Sequence, residues 1–165
     1  VRSRGAEALA IADVAEPRLD TVRRNLSDVT AIDVNTDAQA KITDWAGGSG
    51  PDVTIVCTSS TSAYELAFAT AGRCGQVLLF AGLPKGQQIM NVDMNQIHYR
   101  QLAWYGSFGS MPHQGKAALD MLLSRAVDPE LLVTHRYGLS QIPDAISTAQ
   151  SLAGLKVIIE PQESV

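Results

Sequence analysis

Cysteine is scarce in this chain: 165 residues carry two, Cys57 and Cys74. Two thiols cannot build the bridge framework of a small secreted fold. Without C-x-x-C spacing or a histidine close by in sequence, they do not read as metal ligands or a redox pair. Each lies in an apolar stretch, so both are expected to be buried structural thiols. Charge is sparse as well, at 18% of residues, and the formal net charge of −4 comes with no lysine or arginine cluster. That excludes the electrostatic footprint of a nucleic-acid binder and of a polybasic membrane surface. No apolar run exceeds strand length, and the opening Val1-Arg2-Ser3-Arg4-Gly5 has no apolar signal core behind it. The expectation is a cytoplasmic protein that works on small molecules and contacts neither membrane nor nucleic acid.

What is present is a globular composition, 45% hydrophobic, of a length that favours one core. Residues 9–14 read as a buried strand, and Pro17 opens a helix with Leu19, Val22 and Leu26 on one face. A second strand over 31–34 precedes a capping-box pattern, Thr36 with Gln39, and a stripe of Ala38, Ile42 and Trp45. After the loop Gly47-Gly48-Ser49-Gly50-Pro51, the β-branched run 53–57 is expected to be buried on both faces of a parallel sheet. Ser62 and Glu65 suggest another capping box, leading a helix with Tyr64, Phe68 and Ala71 that stops near Gly72 and Gly75. Strands are expected over 77–81 and 102–106, with a loop from Gly82 to Asn91 after the first of them. A helix begun near Pro112 carries Ala118, Leu119, Leu122 and Leu123. The end of the chain reads as strand 133–137, a helix with Ile142, Ala145, Ile146, Ala149 and Leu152, a stop at Gly154, and strand 156–160. No repeat and no linker interrupts this alternation, which predicts an α/β fold: a Rossmann-like, doubly wound parallel sheet with helices on both faces.

Asp13 ends the first strand, where dinucleotide-binding folds place a carboxylate for the adenosine ribose hydroxyls and against a 2′-phosphate. The alternative is that Asp13 only caps the helix that follows. The glycine-rich phosphate loop should lie roughly 20 residues before such an acid, yet twelve residues precede Asp13. The Gly47-to-Gly50 run follows a helix and precedes a strand, so it reads as a turn. The expected fold is therefore truncated before its second strand, with the first strand and the glycine-rich loop absent.

The segments Ala10-Ile11-Ala12-Asp13, Gly50-Pro51-Asp52-Val53, Val56-Cys57-Thr58, Gly75-Gln76-Val77-Leu78-Leu79-Phe80-Ala81-Gly82, Gly106-Ser107-Phe108-Gly109, Val133-Thr134-His135-Arg136 and Gly154-Leu155-Lys156 occur in order over essentially the whole chain. Together they resemble the zinc-dependent medium-chain dehydrogenases, nearest the polyol and threonine dehydrogenase branch. The resemblance implies the C-terminal, NAD-binding half of a protein that passes hydride between a secondary alcohol and NAD. In the family a zinc ion, acting as a Lewis acid, binds the alcohol. It implies an incomplete NAD-binding Rossmann domain over 1–130, and over 131–165 a strand-helix-strand that in the family returns to the catalytic domain. The zinc ligands belong to the other half, so neither zinc nor a catalytic residue is expected here, and the chain alone is expected to be inactive.

The resemblance also assigns the cofactor residues. Asp13 matches the ribose-binding acid and Arg18 a basic residue beside the adenosine. Cys57, Thr58 and Ser59 match a strand end near the adenosine, where the family often reads Cys-Thr-Gly and Ser59 departs from it. Ala81, Gly82 and Leu83 match the segment whose backbone passes the nicotinamide, and Ser107, Phe108 and Gly109 the strand that binds its carboxamide. Lys156 matches a residue that reaches the pyrophosphate in some members. NAD is the expected cofactor, at an affinity lowered by the missing loop.

His98, His113 and His135 fall in a loop, a helix start and a strand without ligand spacing, and read as structural or exposed. The hydroxyl-rich run Thr58-Ser59-Ser60-Thr61-Ser62 lacks a G-x-S-x-G elbow and reads as a loop and helix cap. Exposed sheet edges predict a homodimer or other homo-oligomer, with Trp104 and Tyr105 as interface residues or plain core. The competing readings are a non-catalytic binding module on the same truncated fold and a methyltransferase, which also places an acid after its second strand.

Overall fold

The computed structural model describes residues 5–151 and 154–162. In chain order these form β1 (Ala10–Asp13), α1 (Glu16–Asn25), β2 (Thr30–Asp33), α2 (Ala38–Trp45), β3 (Val53–Val56), α3 (Thr61–Thr70), β4 (Gln76–Leu79), α4 (Met94–Arg100), β5 (Ala103–Gly106), α5 (Pro112–Leu123), the single turn α6 (Pro129–Leu132), β6 (Val133–Gly138), a 3-10 turn (Leu139–Gln141), α7 (Ile142–Gln150) and β7 (Lys156–Glu160). Every strand pairing is parallel, as the β/α alternation predicts. The strands form three sheets, however, in the orders β1-β2, β3-β4-β5 and β6-β7. In the doubly wound order 3-2-1-4-5-6 a central strand joins the first two groups, and the described residues supply none. Among them, no helix is long and apolar enough to cross a membrane.

Two compact units divide the described residues, one of 34–109 and the other of those up to 33 together with those from 110 onward. In the first, Val56, Val77 and Leu102 from the strand side meet Tyr64, Ala67, Phe68 and Ala71 of the α3 segment in one buried cluster. Phe68 and Trp104 stack with ring centroids 4.0 Å apart, so Trp104 is core while Tyr105 stays half exposed. Fully burying each large side chain stabilises by about 1.5–3 kcal/mol. Close backbone contact shapes the amino ends of β3 and β4. A Cβ on Gly50, at φ +79°, would stand 2.1 Å from the Thr70 carbonyl oxygen, and one on Gly72 would stand 2.8 Å from that of Gly50. Glycine alone fits there.

Several local expectations change. Neither capping box forms. Helix α2 starts from Asp37 in the left-handed region, and α3 starts at Thr61 with no side-chain cap, so the spacing of Ser62 and Glu65 no longer matches. Thr36 instead accepts a hydrogen bond from Lys41. The face of β3 carrying Val53 and Ile55 is exposed, because α3 covers only the opposite face with Val56. β1 is likewise only half buried. Cys57 and Cys74 are exposed, the first just past the end of β3, the second in a left-handed turn before β4. Helix α4, capped by Asp93, occupies what reads as loop and carries His98.

In the second unit, α1 buries Leu19 and Val22 as predicted, beside Ile32 of β2. The β6–α7–β7 crossover forms, with Ala145 of α7 buried and β7 spanning its predicted residues. Tyr137 of β6 and Thr148 of α7 share a hydroxyl hydrogen bond of 2.7 Å. Leu152, expected on the α7 stripe, lies outside the described residues. The stripe of α5 is not covered: Leu119, Leu122 and Leu123 are all exposed.

Candidate functional site

In open parallel sheets ligands bind beyond the carboxyl ends of the strands. In the 34–109 unit three consecutive strands end together, since Val56 pairs with Leu79 and Leu79 with Gly106. Their continuations are residues 57–59, 81–83 and 107–109, so nine of the sequence-selected residues share one sheet edge. The Val56 carbonyl accepts the N–H groups of both Phe80 and Ala81, at 3.2 and 3.0 Å. The Leu79 carbonyl accepts the Ser107 N–H at 3.3 Å. These bonds prolong the ladder past the regular strands and fix where the chain turns away.

At that edge Cys57, Thr58, Ser59, Gly82, Ser107, Phe108 and Gly109 are exposed, while Ala81 and Leu83 are half buried. A Cβ added to Gly82 would meet nothing within 4 Å, so the space above it is open. Phe108 has no cover at all, and Gly109 takes φ +66°, a backbone turn that suits glycine. The Cys57 residue is exposed as a whole, yet its thiol is partly desolvated, which pushes its pKa up and keeps it protonated.

Asp13 closes β1 in the other unit. Its Oδ1 accepts the Ala15 N–H at 2.9 Å, turning the chain into α1, and its Oδ2 stands 3.6 Å from a guanidinium nitrogen of Arg18. The helix-turning role and the anion-pairing geometry are thus both present. Half-exposed ion pairs of this kind contribute about 0–1 kcal/mol. Arg18 Nε is buried with no hydrogen-bond partner among the described residues, a donor left for an acceptor. Asp33 lies in register beside Asp13 at the end of β2. Sequence reasoning passed over Asp33, although its position at a second strand end was a readable signal. Lys156 opens β7 rather than ending a strand, in a sheet holding none of the other candidates.

The histidines stay apart, with His98 and His113 exposed and His135 half buried. His98 packs edge-on against Tyr99, His113 lies in the first turn of α5, and His135 contacts the Thr134 hydroxyl at 3.0 Å. Among the described residues no three His, Cys, Asp or Glu side chains gather as metal ligands.

The sequence profile of a family described as zinc-binding dehydrogenase matches residues 1–124. The chain belongs to the zinc-binding dehydrogenase family. Among its relatives, sorbitol dehydrogenase of Mus musculus is 28% identical over 162 residues, 96% of this chain and 44% of that protein. L-threonine 3-dehydrogenase of Edwardsiella ictaluri is 24% identical over 156 residues, 94% and 45% of the two chains. The chain thus spans less than half the length of these relatives. Solved structures share the fold. An alcohol dehydrogenase from Escherichia coli, complexed with NADH, superposes with a TM-score of 0.78 at 20% identity, over 93% of this chain and 44% of the other. A zinc-binding dehydrogenase from Sinorhizobium meliloti, bound to NADP, gives 0.84 at 21% identity, over 97% and 47%. The family is named for zinc, but the described residues of this dehydrogenase-family chain offer no ligand set for it.

Proposed function

We propose that this chain is the nucleotide-binding part of an NAD-dependent alcohol or polyol dehydrogenase. The observation that carries the reading is the shared edge formed by residues 57–59, 81–83 and 107–109, exposed and open above Gly82. Residues 81–83 and 107–109 would hold the nicotinamide end through main-chain groups, and 57–59 the adenosine end. In the other unit the family resemblance assigns the ribose hydroxyls to Asp13, a donor beside them to Arg18, whose Nε has no partner among the described residues, and the pyrophosphate to Lys156. NAD, when bound, supplies the hydride acceptor for a secondary alcohol. The Asp13 carboxylate favours NAD over NADP by repelling a 2′-phosphate. No step is assigned to zinc on this chain, and no alcohol turnover is expected of it alone.

The reading divides the chain functionally at about residue 130, with 131–165 serving another domain. It places the protein in the cytoplasm and includes self-association through exposed sheet edges, which a sedimentation experiment reads directly. The cofactor assignment is tested by calorimetric titration with NAD, NADH and NADP, repeated on Asp13→Ala. Binding of NAD in preference to NADP, with the preference lost in the variant, is the expected result. Equal or absent binding of all three by the unmodified chain would remove it.

A further inference from the structure

We propose that Tyr64 is a positioning residue for the ligand edge of the three-stranded sheet: its hydroxyl anchors the backbone at Ala81 and so sets the course of residues 81–83. Tyr64 lies within the first turn of α3 and is 6% exposed, in the core cluster with Val56, Phe68 and Val77. Its ring serves the core, but its hydroxyl leaves the apolar environment to donate a hydrogen bond to the Ala81 carbonyl. The Ala81 N–H is already given to Val56 O at 3.0 Å. Both backbone polar groups of Ala81 are therefore held from within, one by strand β3 and one by helix α3.

The consequence falls on the next residues. Leu83 packs against the same core cluster. With Ala81 tied by two hydrogen bonds and Leu83 by its side chain, Gly82 is suspended between two anchors. It is exposed, with open space around it. A ligand passing this edge meets a backbone fixed in place, and fixed geometry spares it the cost of ordering a loop. A phenylalanine would fill the same core volume, so packing alone does not call for the hydroxyl. A half-buried carbonyl deprived of its donor would seek another partner and let the segment turn.

The proposal rests on the cofactor reading above for the identity of the ligand, and the two are separable by experiment. On the full 165-residue chain, Tyr64→Phe is compared with the unmodified protein by amide hydrogen exchange without ligand. Binding of NADH and of ADP-ribose, which lacks the nicotinamide, is then measured on both. The expected result is exchange of the Ala81 amide, which is bonded to Val56, faster by about five-fold, the worth of one hydrogen bond, with the strand amides of 77–79 unchanged. NADH affinity is expected to fall by a similar factor and ADP-ribose affinity to hold, a split that general loosening of the core would not produce. Unchanged exchange of the Ala81 amide, or equal weakening of both ligands, overturns the proposal. If the unmodified chain binds neither nucleotide, the cofactor reading fails and the exchange comparison alone decides the anchor. Should the variant not fold, the Tyr64 hydroxyl proton of the unmodified chain decides: protection from solvent supports the anchor, and free exchange refutes it.

Discussion

Helices α3 and α5 both carry apolar residues at three- and four-residue spacings, but their fates differ. α3 buries Tyr64, Ala67 and Phe68 against the strands of its own unit. α5 exposes every residue from 112 to 120, and Leu123 at its end is 75% exposed. A periodic stripe says which face of a helix would gain by burial. Whether it is buried depends on an opposing surface, and that is a property of the tertiary arrangement.

The sharpest way to break this contrast is a pair of truncations read by urea unfolding. Phe68→Ala removes the stack on Trp104 and is expected to cost about 3–5 kcal/mol, whereas Leu123→Ala should stay within about 0.5 kcal/mol. Comparable losses from the two would mean that α5 is packed and the contrast is false. Glycines sharpen it next. Gly50→Ala drives a Cβ to 2.1 Å from the Thr70 carbonyl oxygen at a left-handed φ, at a cost on the order of 3 kcal/mol. Gly82→Ala meets nothing and should change stability by less than about 0.5 kcal/mol while weakening NADH in calorimetry. If both glycines prove structural, Gly82 is no part of a ligand edge. The smallest effect concerns Cys57. Its desolvated thiol should give a pH profile of iodoacetamide alkylation whose midpoint lies above the ordinary thiol value of 9.0. A Cys74→Ser background isolates the signal, and a midpoint at or below that value would show that burial does not raise the thiol.

Much of this was legible in the residues because it is local. Strand β7, the Leu19 and Val22 face of α1, and Asp13 at a strand end follow from short-range pattern and chain order. The convergence of 57–59, 81–83 and 107–109 was legible through the resemblance, since parallel strands in succession bring their carboxyl ends to one edge. Other features escaped for physical reasons. Helix α4 is seven residues long, too short for a repeating stripe, and follows Pro84 and Gly86. The exposed face of β3 escaped because a β-branched run records a preference for burial, and cover comes from elsewhere. In Tyr64 the apolar ring fits the helical stripe, which hides a hydroxyl acting on Ala81, seventeen positions away. Lys156 reads as a ligand residue only by analogy, and its sheet contains none of the other candidates.

The uniformly parallel pairing bears on how the chain folds. Ala10 meets Thr30, Val53 meets Gln76, Gln76 meets Ala103, and Val133 meets Lys156. Each partnership joins residues about twenty or more positions apart, since parallel neighbours require a crossover where a tight hairpin would serve antiparallel ones. Loop-closure entropy must therefore be met before any ladder bond forms, and the contact order is correspondingly high. The crossover helices α1, α3, α4 and α7 shorten, as they form, the span that each of these closures must bridge.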